Sequence, residues 1–173
     1  MAKQITVDLL CEDRGHEQLL APLVKRVLFE GGLVADIRIV SARGGAPQLH
    51  AEVELLLDAL NKGRTAPDIL VIGQDGNCRG WKEAVDGVHQ RVGAAWAHAL
   101  VEACPDPHIE RWYLADQTAF GKIVGGDRLS VSPAKCQKDY YKNLLATAVA
   151  KAGHFDGSGG LDFGPDLVAE MDL

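Results

Sequence analysis

The first half of the chain alternates short apolar runs with amphipathic stretches, and this alternation limits the possible folds more than any other feature. The nearly all-apolar runs at residues 5–11 and 67–73 predict buried strands. Residues 35–40 alternate apolar with polar side chains and predict a strand nearer the edge. Helical periodicity predicts helices at about 17–31 and 50–62 between these strands. The order strand–helix–strand–helix–strand predicts an α/β fold with a parallel, right-handed sheet.

The second half of the chain is richer in helical patterns. Residues 81–92, 109–120 and 138–152 are predicted to be helical, and residues 97–104 form either a strand or the end of the preceding helix. The glycine-rich segment 157–160 predicts a hinge before a last short acidic helix at 165–171. We therefore expect one α/β domain over residues 1–155 and a C-terminal helical segment over residues 156–173.

Composition limits the classes of protein to which the chain can belong. Its 173 residues fit one domain, with 47% hydrophobic and 24% charged residues as in ordinary globular proteins. No apolar run approaches the roughly 20 residues that span a bilayer, and the N-terminus leads straight into a predicted strand, so we expect neither a membrane segment nor a signal peptide. The net charge of −6 disfavours binding of nucleic acid by bulk attraction.

The four cysteines are widely scattered and form no C-x-x-C pair. This spacing gives little support to a zinc site and predicts free thiols in a reducing compartment. The expected location is therefore the cytoplasm. The four residues are Cys11, Cys78, Cys104 and Cys136.

Acidic residues follow two of the predicted strands. Glu12 comes directly after the first apolar run, with Asp13 beside it, and Asp75 follows the run that ends at Gly73. Ligands bind at the carboxyl ends of strands in open α/β sheets, and carboxylates gathered there repel one another unless a cation neutralises them. Oxygen ligands suit Mg²⁺ or Mn²⁺, so we expect such an ion at Glu12 and Asp75, with Asn77 offering a neutral oxygen.

Each of these residues also has a plain structural interpretation. Glu12 and Asp13 could cap the next helix, and Asp75 lies in a sequence typical of turns. Glu17 suits a helix N-terminus, or could reach back to support a metal-bound water. Glu110 lies in a mostly apolar segment beside His108, and each is either a site residue or a structural one.

A cluster of cations precedes the last long helix. If that helix begins early enough, three lysines share one of its sides, where they form either a solvated face or a group that stabilises charge on a phosphoryl group. The three are Lys135, Lys138 and Lys142.

Three segments together resemble a Toprim-type domain: residues 9–12 with Glu17 after them, residues 73–77, and residues 105–116. Within this group the chain resembles small bacterial Toprim-like proteins related to nucleases that accompany ABC-type ATPases in defence loci, the overcoming-lysogenisation-defect-like branch. The resemblance covers about residues 5–150. Its most specific piece is Pro107-His108-Ile109-Glu110-Arg111-Trp112.

The resemblance implies a Rossmann-like parallel sheet of about four strands flanked by helices. It also implies Mg²⁺- or Mn²⁺-dependent cleavage of phosphodiester bonds in nucleic acid, with a role in antiphage defence and an ABC/AAA-type ATPase as partner. Glu12, Asp75 and Glu110 match the acids of the family, and Lys138 matches a lysine of related nucleases. Asn77 stands where a second aspartate is expected.

Three functional hypotheses follow from these observations. The first is a metal-dependent nuclease with Glu12, Glu17, Asp75, Glu110 and Lys138 as catalytic residues. The second is a catalytically weak Toprim-like subunit that binds an ATPase partner, and the third is a receiver-like signalling domain built around Mg²⁺. Self-association into a homo-oligomer is compatible with each.

Overall fold

The computed structural model describes residues 3–132, 136–155 and 157–173. Its strands are β1 (Lys3–Cys11), β2 (Leu33–Ser41), β3 (Ile69–Gly73) and β4 (Leu100–Ala103). Its helices are α1 (Arg14–Glu30), α2 (Gly45–Asn61), α3 (Trp81–Val92), α4 (Glu110–Tyr113), α5 (Gln117–Ile123), α6 (Tyr140–Lys151) and α7 (Gly164–Glu170), and a short 3₁₀ helix (Leu161–Phe163) precedes α7.

The four strands form one parallel sheet in the order β2-β1-β3-β4. The α/β class, the four-stranded parallel sheet and the edge position predicted for the second strand are confirmed. β1 and β3 are adjacent, and Cys11 aligns with Gly73 at their carboxyl ends. The chain leaves β1 toward one edge to form β2 and then crosses to the other side for β3. The gap between β1 and β3 is therefore the topological switch point, where open α/β sheets bind ligands.

Two hydrophobic layers cover the sheet, because β1 and β3 direct alternate side chains to opposite faces. On one face Leu9 and Val71 pack with α1 and with the C-terminal helices. On the other face Leu10 and Ile72 pack with α2 and α3. Both layers contain fully buried residues, so the central strands are nearly all apolar, as expected for strands covered on both sides.

The C-terminal helices extend the layer on the α1 face. Tyr113, Phe120, Leu145 and Leu167 are each less than 3% exposed and belong to the same cluster as the apolar residues of α1. Helix α7 packs directly against α1. The hinge predicted for residues 157–160 stays a prediction, but the helix that follows it is part of the core.

Pro22 lies inside α1 and not in its first turn, because α1 begins at Arg14, earlier than the periodicity predicts. A proline has no amide hydrogen, so the carbonyl of Gln18 lacks its usual partner four residues later. The backbone of Gly164 passes this carbonyl so closely that a Cβ on Gly164 would lie 2.6 Å from the Gln18 oxygen. Pro22 and Gly164 thus belong to the same close approach of α7 to α1.

One of the helix predictions for the second half is wrong, and a second helix begins later than predicted. Residues 109–120 form not one helix but α4 and α5, because the side chain of Asp116 accepts hydrogen bonds from Thr118 and Ala119 and starts a new helix. Helix α6 begins only at Tyr140, so Lys138 lies in the turn before it and does not share a helix face with Lys142. Lys135 lies outside the described residues.

The prediction of four free thiols is wrong for two of them. Cys78 and Cys136 form a disulfide, because the fold brings the loop after β3 next to the segment before α6 across 58 residues of sequence. Cys11 and Cys104 are free and buried, as predicted. None of the helices in the described ranges is long and apolar enough to cross a bilayer.

Candidate metal centre

Glu12 stands at the carboxyl end of β1, where the strand gives way to α1. Its backbone amide donates to the carbonyl of Gly73, which holds it level with the end of β3. The residue is only 8% exposed, and its Oε2 accepts the backbone N–H of Asp75 at 2.9 Å. Burial raises the pKa of the carboxyl, and that hydrogen bond opposes the increase. Glu12 therefore faces the switch point and does not cap α1.

Asp13 takes the capping role that the sequence left open between the two acids. It is the N-cap of α1, and its Oδ1 accepts the backbone N–H of His16 at 3.1 Å. The same oxygen lies 2.9 Å from Nδ1 of the His16 ring. Burial alone would raise the pKa of Asp13, but its hydrogen bonds with His16 outweigh this and lower it. Asp13 thus fixes the orientation of the His16 ring.

His16 is completely buried in the first turn of α1 and points its second nitrogen toward the carboxylates. Nε2 lies 3.2 Å from Oδ1 of Asp75, within ion-pair distance but without hydrogen-bond alignment. It has no hydrogen-bond partner among the described residues. Burial lowers the pKa of His16, but the contacts with Asp13 and Asp75 outweigh burial and raise it to about 10. A proton on His16 therefore balances carboxylate charge.

Asp75 follows β3 and is held by neighbours on three sides. Its Oδ1 accepts the backbone N–H of Ile109 at 2.9 Å, and its Oδ2 lies 3.3 Å from Nδ1 of His108. Together with the ion-pair contact to His16, these interactions fix the carboxylate at the mouth of the switch point, with the side chain 14% exposed. The segment 105–109, which the sequence singled out, thus closes over the end of β3.

Glu12, His16 and Asp75 form a compact group of potential ligands. Each offers one oxygen or nitrogen, and the three atoms lie within 4.8 Å of one another. Such spacing is what one ion needs to touch all three. A buried ring nitrogen such as Nε2 of His16 normally has a hydrogen-bond partner, and a bound cation would take the place of that partner. The sequence prediction that Glu12 and Asp75 converge is consistent with this geometry, and His16 joins them.

Glu110 begins α4 and lies beside this group. Burial raises the pKa of its carboxyl, and the nearby charges of Asp75 and Asp13 raise it further, while His108 acts in the opposite direction. Glu110 is thus close enough to Asp75 and Asp13 to sense both charges. It is the third carboxylate that the resemblance singled out, and it borders the group formed by Glu12, His16 and Asp75.

The other predicted site residues lie farther out. Asn77 has a left-handed backbone with φ of 48°, is exposed, and donates from its side chain to the Asp75 carbonyl. Glu17 is half-buried in α1 near Cys11, whose thiol pKa is raised to about 12 by burial first and by the charge of Glu17 among others. Lys138 is exposed.

His16 is the residue that sequence reasoning missed. One signal was available: it follows Asp13 by three residues, a spacing at which a cap and a first-turn side chain meet. His50 and Gln74 form a second unpredicted contact, with Nε2 and Oε1 3.0 Å apart. This pair links α2 to Gln74, the residue before Asp75, and so helps to hold the loop that follows β3.

Comparison with protein-family models, with curated proteins and with solved structures finds no match to this chain.

Proposed function

We propose that the chain is a divalent-metal-dependent nuclease that hydrolyses phosphodiester bonds. The observation that carries the proposal is the group formed by Glu12, His16 and Asp75 at the switch point of the sheet. Glu12 is buried and the side chain of Asp75 is only 14% exposed, and burying acidic side chains is unfavourable unless a partner or an ion compensates. The Toprim resemblance, which rests on the same segments, favours phosphodiester chemistry over other metal-dependent reactions.

The ligand set favours Mn²⁺ over Mg²⁺. Two carboxylates suit either ion, but an imidazole nitrogen is a poor ligand for Mg²⁺, which prefers oxygen and water. Glu12, His16 and Asp75 would hold the ion, and Asp13 would orient the His16 ring through the hydrogen bond to Nδ1. When bound, such an ion activates water and stabilises charge on the phosphate. Glu110, beside Asp75, would add a ligand or accept the proton of the attacking water.

The order β2-β1-β3-β4 is also that of the first four strands of flavodoxin-like folds, so topology alone does not exclude the receiver-like alternative. A receiver needs the aspartate after β3 to be open to a phosphoryl donor. Here Asp75 already contacts Ile109, His16 and His108. We therefore favour the metal-dependent enzyme. The remaining alternative, a catalytically weak subunit that binds an ATPase, would use the same metal-binding group and would differ from the nuclease only in its rate of cleavage.

The test is a titration of the purified protein with Mn²⁺ and Mg²⁺, read as the change in Tm. At an ion concentration of about 100 times Kd, binding adds about 2.7 kcal/mol, which raises the Tm of a chain of this size by roughly 5–10 °C. Asp75→Asn and His16→Gln should weaken Mn²⁺ binding by at least 10-fold, since even groups that only orient ligands contribute about 10- to 100-fold.

Asp86→Asn is the matched control, because Asp86 is exposed on α3 and the same charge is removed away from the group. It should leave the Mn²⁺ response unchanged. Cleavage of single- and double-stranded oligonucleotides is then followed with Mn²⁺. Stabilisation by Mn²⁺ that persists in Asp75→Asn would overturn the proposed site, and Mn²⁺ binding without cleavage of any nucleic acid would favour the partner-binding subunit.

A further inference from the structure

A cleft of about 500 Å³ lies beside the candidate metal centre, and we call it the Trp81 cleft. Trp81, Trp112, Glu102, Asp106 and Arg111 are among the residues that line it. The cleft adjoins the metal group through two connections. The Asp106 side chain lies against Gly76, next to Asp75, where a Cβ on Gly76 would be 3.2 Å from Asp106 Oδ1. Arg111 and Trp112 are on α4, which begins with Glu110.

The lining combines two indole rings with hydrogen-bonding groups. Trp81 is 56% exposed at the start of α3, and Trp112 is half-buried on α4, so two separate helices contribute aromatic rings to one cleft. The Asp106 carboxylate can accept hydrogen bonds from amino groups, and so can the oxygen of Glu102 that is not paired with His89. A single exposed tryptophan is ordinary on a protein surface. Two of them in a cleft with acids and an arginine are typical of a site for a flat, polar, aromatic ligand.

We propose that the Trp81 cleft binds an unpaired nucleobase of the substrate, so that the substrate is single-stranded at the point of cleavage. The proposal rests on the nuclease function proposed above, and it adds the substrate class. A nucleobase is flat, stacks on indole, and carries amino groups that carboxylates accept. A base within a duplex hides both its faces between neighbouring bases, so only an unpaired base can use the cleft.

The charge of the chain favours the same conclusion. Binding of duplex depends mostly on cations that contact phosphates, and a chain with a net charge of −6 has little such attraction. Stacking on aromatic rings does not depend on net charge and contributes about 1–3 kcal/mol per base, which is about 5- to 150-fold in affinity. For an acidic chain, stacking is therefore the larger available source of affinity.

A second cleft of about 650 Å³ shares Arg111 and Trp112 with the first and also includes Arg128. Arg111 and Trp112 therefore line both clefts. A nucleotide whose base occupies the Trp81 cleft would have space for a neighbouring sugar and phosphate in the second cleft, where Arg111 and Arg128 supply positive charge. The two clefts together therefore fit a chain of nucleotides better than a single free base.

The test measures binding of one fluorescein-labelled oligonucleotide as a single strand and as a blunt duplex, by anisotropy. EDTA is present throughout, so that no metal-dependent cleavage occurs during the measurement. We compare the wild type with Trp81→Leu, which removes the ring, and Trp81→Phe, which keeps an aromatic face. Trp81 is largely exposed at the first position of α3, so neither change disturbs the core.

We expect the single strand to bind more tightly than the duplex, Trp81→Leu to weaken single-strand binding by roughly 5- to 150-fold, and Trp81→Phe to retain most of it. Equal binding of the single strand by wild type and Trp81→Leu would overturn the inference. So would tighter binding of the duplex, or no binding of either form.

The Mn²⁺ response of Tm separates this inference from the proposed function. If Mn²⁺ binding depends on Asp75 while Trp81→Leu changes nothing, the nuclease proposal stands and the cleft proposal fails. If single-strand binding depends on Trp81 while Mn²⁺ has no effect, the base site stands and the metal-dependent mechanism fails.

Discussion

At the scale of single residues, the candidate site places three carboxylates around one histidine, whose proton balances part of their negative charge. Glu12, Asp13 and Asp75 are carboxylates within reach of His16, which is completely buried. In the absence of an ion, a protonated His16 is the only group that contacts both Asp13 and Asp75 among the described ion pairs. The same side chain therefore stabilises the metal-free fold and offers a ligand atom. This double role makes His16 the most informative residue to change.

His16→Gln is expected to destabilise the metal-free protein by about 2–3 kcal/mol. Removing one partner of a fully buried ion pair costs about 3–5 kcal/mol, and the value is lower here because the side chain of Asp13 is 53% exposed. The measurement is urea unfolding in EDTA. His98→Gln, at an exposed histidine, serves as the control and should cost less than about 0.5 kcal/mol. Equal costs for the two variants would mean that His16 does not balance the carboxylates.

At the scale of secondary structure, the sequence predicted the strands better than the helix boundaries. Apolar runs reveal β1 and β3 because both faces of these strands are buried. The split between α4 and α5 was not predicted, since helical periodicity continues through the break. The break depends on the side chain of Asp116, which caps α5 through Thr118 and Ala119 and also accepts the backbone N–H of Asp172. That last contact spans 56 residues, and no local pattern indicates it.

Asp116→Ala is expected to cost about 1 kcal/mol at neutral pH, the usual contribution of an N-cap. The cost should depend on pH. Hydrogen bonds from Ala119, Asp172 and Thr118 lower the pKa of Asp116 in the folded chain. A lowered pKa gives stability that is complete above the carboxyl pKa of the unfolded chain, about 3.9, and is lost as the pH falls through the folded value.

The measurement compares urea unfolding of the wild type, Asp116→Ala and Asp116→Asn at neutral pH and in acid. Asn keeps a capping oxygen but has no charge, so Asp116→Asn should cost less than Asp116→Ala at neutral pH. The difference between wild type and Asp116→Ala should shrink in acid, while the difference between the two variants should stay constant. A cost of Asp116→Ala that does not change with pH would contradict the charge contribution.

At the scale of the whole molecule, the features that could not be predicted from the sequence are those that depend on long-range contacts. A unit of three parallel strands can place β1 and β3 side by side, so the convergence of Glu12 and Asp75 could be expected, and the structure has these two strands paired. The burial of His16 could not, because it depends on how closely α1 packs against the end of β3 at Gly73. A Cβ on Gly73 would lie 3.4 Å from the His16 Cδ2 and 2.6 Å from Leu20. The pairing of Cys78 with Cys136 was equally hidden, because no periodicity connects residues 58 positions apart.

The Cys78–Cys136 disulfide is expected to stabilise the fold by about 4 kcal/mol, the chain-entropy value for a closed loop of this length. Cys78→Ser should lower the free energy of urea unfolding by that amount under oxidising conditions and by almost nothing under reduction, when the wild type has also lost the bond. The effect acts mainly on the unfolded chain. Mn²⁺ affinity should therefore be the same in oxidised wild type and Cys78→Ser, although Cys78 follows Asp75 by only three residues. Mn²⁺ binding that weakens with loss of the bond would instead mean that the disulfide holds the Asp75 loop in position.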